Sequence, residues 1–143
     1  MKLKDFLYLV EALKKNIPVK VTFSSEKEFE TRFQAAGNEW IVTFRDPMFV
    51  DDWEIAFYTT EVDPNNPWTR TGEASDAVFD VFSGIANSIR AFIKKIDPEY
   101  FSFKADPSRV TLYKKFAKMI EKESKYEMIH MRKSGHTWFH FSK

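Results

Sequence analysis

The sequence of 143 residues reads as an α+β protein on one mixed α/β sheet, a single domain with about seven strands and three helices. Three observations point there. Seven short segments carry Val, Ile, Phe, Trp, Tyr or Thr at a period near two, and three longer ones carry apolar residues at a period near 3.6. One of those helical runs stands between two single strand segments, and a helix crossing between neighbouring strands sets them parallel. Apolar residues make up 43% of the chain along its whole length, and 15 Phe, 5 Tyr and 4 Trp supply bulk for a core.

Leu3, Phe6, Leu7, Val10 and Leu13 predict an opening helix that Lys14, Lys15, Asn16 and Pro18 bring to a stop. Four strands follow in "VKVTFSS", "EFETRFQAA", "EWIVTFR" and "WEIAFYTT", the second and third joined by the glycine turn "AAGNE", so a meander is the economical arrangement. The polar stretch "EVDPNNPWTRTGEAS" is long for a loop in a compact domain and is a place to look for function. Val78, Val81, Phe82, Ile85, Ile89, Phe92, Ile93 and Ile96 then form one apolar stripe, predicting a central helix with Ser75 as its cap. "YFSFKA" reads as a strand. Ser108 is expected to cap a further helix whose Leu112, Phe116 and Ile120 face inward, and "YEMIHMR" and "HTWFHFS" flank "KSG" as a closing hairpin.

The chain has no cysteine, which excludes disulfides, thiolate zinc sites and cysteine nucleophiles and fits a reducing compartment, the cytoplasm by default. No apolar run is long enough to span a bilayer, and Asp5 and Glu11 interrupt the start, so neither export nor membrane anchoring is expected. The net charge of +1 conceals an asymmetry: residues 1–84 hold 9 Lys or Arg against 15 Asp or Glu, and residues 85–143 hold 13 against 6. An acidic side and a basic side would suit a cation and an anion respectively, although charged surfaces also serve solubility alone.

The glycine in "TRTGEASDAVFDVF" stands at the mouth of the central helix, where unpartnered backbone N–H groups can receive an anion. Thr71, Gly72, Glu73 and Ala74 offer such groups, whereas Glu73 and Asp76 already satisfy the helix dipole and would repel phosphate, so anion seat and ordinary cap both stand. His130, His136 and His140 lie in the closing hairpin without a matching carboxylate pattern, so no metal site is expected. Lys114, Lys118 and Lys122 form a stripe at four-residue spacing. It reads as a solvated helix face, and near-neutral total charge argues against nucleic acid as a partner.

From "WEIAFYTT" onward the order strand, polar loop, glycine turn, long helix, strand, helix with a Leu-Tyr pair, hairpin resembles the core of the GCN5-related N-acetyltransferases (GNAT). That family's loop reads roughly Q/R-x-x-G-x-G/A. Gly72 and Ala74 occupy the glycine places, Thr69 stands where Gln or Arg is usual, and Arg70 comes one step late. "TGEASDAVFDVF" together with "FSFKADPSRVTLYKKFAKMI" is also similar to small uncharacterised proteins of tailed bacteriophages.

The resemblance implies acetyl-CoA as cofactor, held by Arg70, Thr71, Gly72, Glu73 and Ala74 with Ser108 and Arg109. It implies Tyr113 as proton donor to the leaving thiolate, and a small-molecule or protein amine as acceptor. A base would come from the acidic half, among Glu54, Glu61 and Asp63, with Glu61 taken as catalytic. Read from its neighbours alone, Tyr113 fits better as part of a buried helix edge with Leu112 and Phe116, its hydroxyl meeting one partner. The second functional class is a phage protein on the same scaffold, without catalysis, that binds a host protein or a nucleotide-type ligand in the host cytoplasm.

Overall fold

The structure is a computed structural model, and it describes residues 16–59 and 76–143. Seven strands form one sheet: β1 (Lys20–Ser24), β2 (Glu28–Ala35), β3 (Asn38–Arg45), β4 (Asp52–Thr59), β5 (Tyr100–Ala105), β6 (Glu127–Lys133) and β7 (His136–Ser142). Helix α1 (Asp76–Ile96) connects β4 to β5, and helix α2 (Val110–Glu123) connects β5 to β6. The spatial order is β1-β2-β3-β4-β5-β7-β6, with every neighbouring pair antiparallel except β4 and β5. The parallel pair is the one that the crossover helix requires.

The helix expected over Leu3 to Leu13 lies outside the described residues, as does the cap Ser75, so two α-helices are described where the sequence predicts three. Ser108 is not the cap of α2. Residues Pro107–Arg109 form a short 3-10 turn instead, because Pro107 presets the backbone one residue earlier, and Arg109 takes the N-cap position of α2 without a side-chain cap bond. The inward face of α2 holds Phe116 and Ile120 as expected, with Leu112 half-buried against the core, and it is wider than expected, because Tyr113, Ala117 and Met119 are buried as well.

Period-two alternation places Phe29, Thr31, Phe33 and Ala35 of β2 on the face that α1 covers. Trp40, Val42 and Phe44 are their cross-strand partners or next neighbours on β3, and Trp53 and Ile55 continue the face on β4. Phe101, Phe103 and Ala105 of β5 and Phe139 and Phe141 of β7 complete it, paired Phe101 with Phe141 and Phe103 with Phe139. Inside this apolar face Thr31 donates to Ser88 Oγ at 2.7 Å, and Ser88 donates to the Gly84 carbonyl at 2.9 Å, so both buried hydroxyls are satisfied. Gly84 is required by contact: a Cβ there would run into the Phe33 ring.

Two hairpins close with two-residue turns in which both residues have left-handed φ, Ala36 and Gly37 at 53° and 76°, Ser134 and Gly135 at 53° and 79°. Such primed turns match the twist of the strands they join. Ser134→Asn supplies the residue that tolerates this conformation best and is expected to raise stability by about 0.5 kcal/mol, read as a higher denaturation midpoint at unchanged m. Gly84→Ala forces α1 away from β2 and is expected to cost about 1–3 kcal/mol in the same measurement.

Candidate ligand crevice at the parallel seam

β4 and β5 pair over three positions only, Asp52 with Tyr100, Trp53 with Phe101 and Glu54 with Ser102. β4 continues to Thr59 and β5 to Ala105, yet beyond Glu54 and Ser102 they no longer face each other in register. The seam is shut at its start and open at its carboxyl end, which is where ligands enter open α/β sheets.

Asp51 fixes the shut end. Its carboxylate accepts the Glu99 N–H at 3.0 Å and the Trp53 indole N–H at 3.0 Å, and its carbonyl accepts the Tyr100 N–H at 3.1 Å. Buried Asp46 accepts the N–H groups of Val50 and Asp51 at 3.2 and 2.9 Å and so holds the turn that presents Asp51. Above them the Phe92 ring of α1 meets Trp53 of β4 at 5.3 Å and Phe101 of β5 at 6.1 Å, spanning the seam from the helix side.

Tyr113 spans the open end. Its ring lies 5.8 Å from Phe57 of β4, 6.2 Å from Phe103 of β5 and 5.5 Å from Phe82 of α1, so the phenol sits where the two strands have parted. Only 5% of its surface is exposed. Burial pushes its pKa well above the ordinary phenol value, a shift opposed by the Arg109 guanidinium through its charge and a side-chain hydrogen bond. The hydroxyl therefore keeps its proton throughout the physiological range and acts as a donor, not as a base.

Of the residues singled out from sequence, Tyr113 and Arg109 are brought together, one helical turn apart. The four-residue spacing carries that signal, although the sequence reading assigned the two to separate tasks. Glu61, Arg70, Thr71, Gly72, Glu73 and Ala74 lie outside the described residues. Ser108 falls in the 3-10 turn before α2. Glu54 closes the paired part of the seam on the sheet face away from the helices and is exposed. His136 faces Asp106 at 3.1 Å, and His140 stacks on Trp138 at 6.0 Å. His130 lies 6.2 Å from Phe139. Sequence reasoning missed Phe57, Phe82 and Phe103 as neighbours of the phenol, because which strands diverge is a property of the sheet order and has no local signature.

No protein-family model matches the chain, and no curated protein matches it in sequence. Among solved structures it is similar over its whole length to the GNAT domain of S. lividans PAT, at 13% identity and a TM-score of 0.49, covering 70% of that chain. It is likewise similar to a candidate acetyltransferase from Sphaerobacter thermophilus, at 10% identity and a TM-score of 0.48, covering 90% of that chain.

Desolvation raises Tyr113 and also Tyr126, whose hydroxyl donates to the Pro98 carbonyl at 2.5 Å. A phenol raised in the folded state binds its proton more tightly there than in the unfolded chain. The stability this contributes is complete below about pH 10, where unfolded tyrosine begins to ionise, and is lost as pH rises above it. Unfolding midpoints measured from pH 8 upward are expected to fall beyond about pH 10, and Tyr113→Phe is expected to make that fall shallower.

Proposed function

We propose that the chain is an acetyl-CoA-dependent N-acyltransferase with a GNAT-like fold, acting on an amine at the crevice between β4 and β5. The observation that carries this reading is the parallel seam that parts after three residue pairs with a protonated phenol set in the gap. The residues present fit the cofactor. Ile55 to Thr59 pair with β3 on one side and, among the described residues, with no strand on the other, so the gap-facing backbone groups of β4 can bond the extended amide arm of coenzyme A as a further strand would. α1 begins at Asp76, and the positive end of its dipole would draw a diphosphate there against the repulsion of the Glu73 and Asp76 carboxylates.

When bound, the cofactor supplies an activated acyl carbon and a thiolate leaving group. The chain's own part is to orient and to manage protons. Tyr113 holds a proton at Oη under the influence of Arg109 and donates it toward developing negative charge, the backbone around Gly72 positions the diphosphate, and Glu61 receives the proton of the amine. The charge division matches these tasks. Strands from the acidic part of the sequence lie on one side of the seam and strands from the basic part on the other, an arrangement suited to a cationic amine and an anionic cofactor. We further propose, from the sequence resemblance to small tailed-phage proteins alone, that the amine is one met in an infected host's cytoplasm.

One observation favours the second reading, a binding protein without catalysis: the phenol is 5% exposed and its hydroxyl is engaged by Arg109. Titration calorimetry with acetyl-CoA separates the two. Binding that is lost in Gly72→Glu, with Tyr113→Phe retaining affinity but slowing transfer to a test amine by about 100-fold, is the expected result. An absence of binding up to millimolar acetyl-CoA overturns the proposal.

A further inference from the structure

Among the described residues β6 is one of the two edges of the sheet that no further strand covers, and all of its residues except Met128 are exposed. The Met128 N–H donates at 2.6 Å to a carboxylate oxygen of Glu121 on α2, not to β7. Backbone groups alternate along an antiparallel strand, so the Met128 carbonyl and the N–H and C=O groups of His130 and Arg132 also point away from β7, and these, with the Met128 amide left on Glu121, are what the edge offers to another strand.

The side chains along this edge are self-complementary. Its sequence, Glu127-Met-Ile-His-Met-Arg-Lys133, begins with an acid, ends with two bases and is largely apolar between them. When the strand is laid antiparallel on itself with the two-fold axis at His130, Glu127 falls opposite Lys133 of the second copy, Ile129 opposite Met131, and Met128 opposite Arg132. All three matches recur on the other side of the axis. Arg132 of the second copy then approaches Glu121, which already sits on the Met128 amide. Moving the axis by one residue, to Ile129 or to Met131, sets Glu127 against Met131 or Lys133 against Ile129 and loses both end pairs.

The exposed groups are of the kind such a pairing needs. Neither Glu127 nor Lys133 has an ion-pair partner among the described residues of its own chain. Ile129 is 61% and Met131 44% exposed, and both border a shallow cavity of about 540 Å³ with Tyr100 and Trp138 on the sheet face away from the helices. Setting Ile129 beside Met131 of the second copy covers both. The opposite edge, β1, carries Lys20 as its one charged residue, so pairing it with itself forms no ion pair.

We propose that two copies of the chain associate through antiparallel pairing of β6 with β6, extending the seven-stranded sheet across a two-fold axis. β7 separates this edge from the β4–β5 seam, so the association is independent of any ligand in the crevice.

Sedimentation equilibrium of the full chain, from low micromolar to millimolar concentration, is expected to show a reversible dimer. Glu127→Lys and Lys133→Glu each place like charges opposite one another twice per dimer and are expected to weaken self-association by about tenfold or more. An equimolar mixture of these two variants, and the double variant E127K/K133E, are expected to recover the wild-type association, while far-ultraviolet circular dichroism stays unchanged throughout. A chain that remains monomeric at every concentration overturns the proposal. So does a dimer indifferent to both charge reversals, or one that the mixture and the double variant fail to restore.

Discussion

Two neighbouring strands that run in the same direction cannot be joined by a tight turn, and much of this molecule follows from meeting that condition at β4 and β5. The chain has to leave the end of β4, cross one face of the sheet and return to the level at which β4 began. The 21 residues of α1 rise about 31 Å, enough to span an eight-residue strand from end to end. In crossing, α1 lays Phe82 over the open end of the seam and Phe92 over the shut end, so one apolar stripe serves both as core and as a brace between sheet halves. Each half is internally antiparallel. β4 is held by β3 along most of its length and β5 by β7 along all of it, which leaves the seam as the place where the sheet can part. Asp51 keeps it shut at one end by bonding both strands, and Tyr113 fills the other with a ring.

The same topology turns a charge pattern in sequence into one in space. The strands before α1 lie together on one side of the seam and those after it on the other, with no strand exchanged between the halves. The acids in excess before residue 85 and the bases in excess after it are therefore carried by strands on opposite sides of the seam.

The strands were legible from their Val, Ile, Phe, Trp and Thr content, and on β2 and the start of β4 burial alternates strictly enough for the inner face to be read from residue type, as Phe29, Thr31 and Phe33 and then Trp53 and Ile55 show. α1 was legible because its stripe persists over many turns. What escaped depends on tertiary placement. The sequence allows Tyr113 to be buried beside Leu112 and Phe116, but not which rings surround it: Phe57 of β4 and Phe103 of β5 reach it only because those strands flank the crossover. Ser108 carries a strong local cap signal, yet Pro107 begins a 3-10 turn ahead of it and moves the cap position on to Arg109. Asp46 and Asp51 carry no individual signal in the sequence: Asp46 bonds the Val50 and Asp51 N–H groups within its own turn, and the bond of Asp51 to the Glu99 N–H appears only once β5 has returned alongside β4.

The closing hairpin shows why the strand order had to be β5-β7-β6 rather than the order of the chain. β7, His136–Ser142, carries Trp138, Phe139 and Phe141 and has no acid, lysine or arginine, so at a free edge it would present an aromatic ladder to any passing strand. Inserted between β5 and β6 it is bonded on both sides, and Phe139 and Phe141 are fully buried against Phe103 and Phe101. The price is that α2 must carry the chain past the place of β7 to lay down β6 first, parallel to β5 but not beside it. What then remains at the edge is the strand with charges at its ends, its first outward amide covered by Glu121. On the proposed pairing, such an edge favours a strand that brings a base to Glu127 and an acid to Lys133. The same strand run backwards meets that requirement.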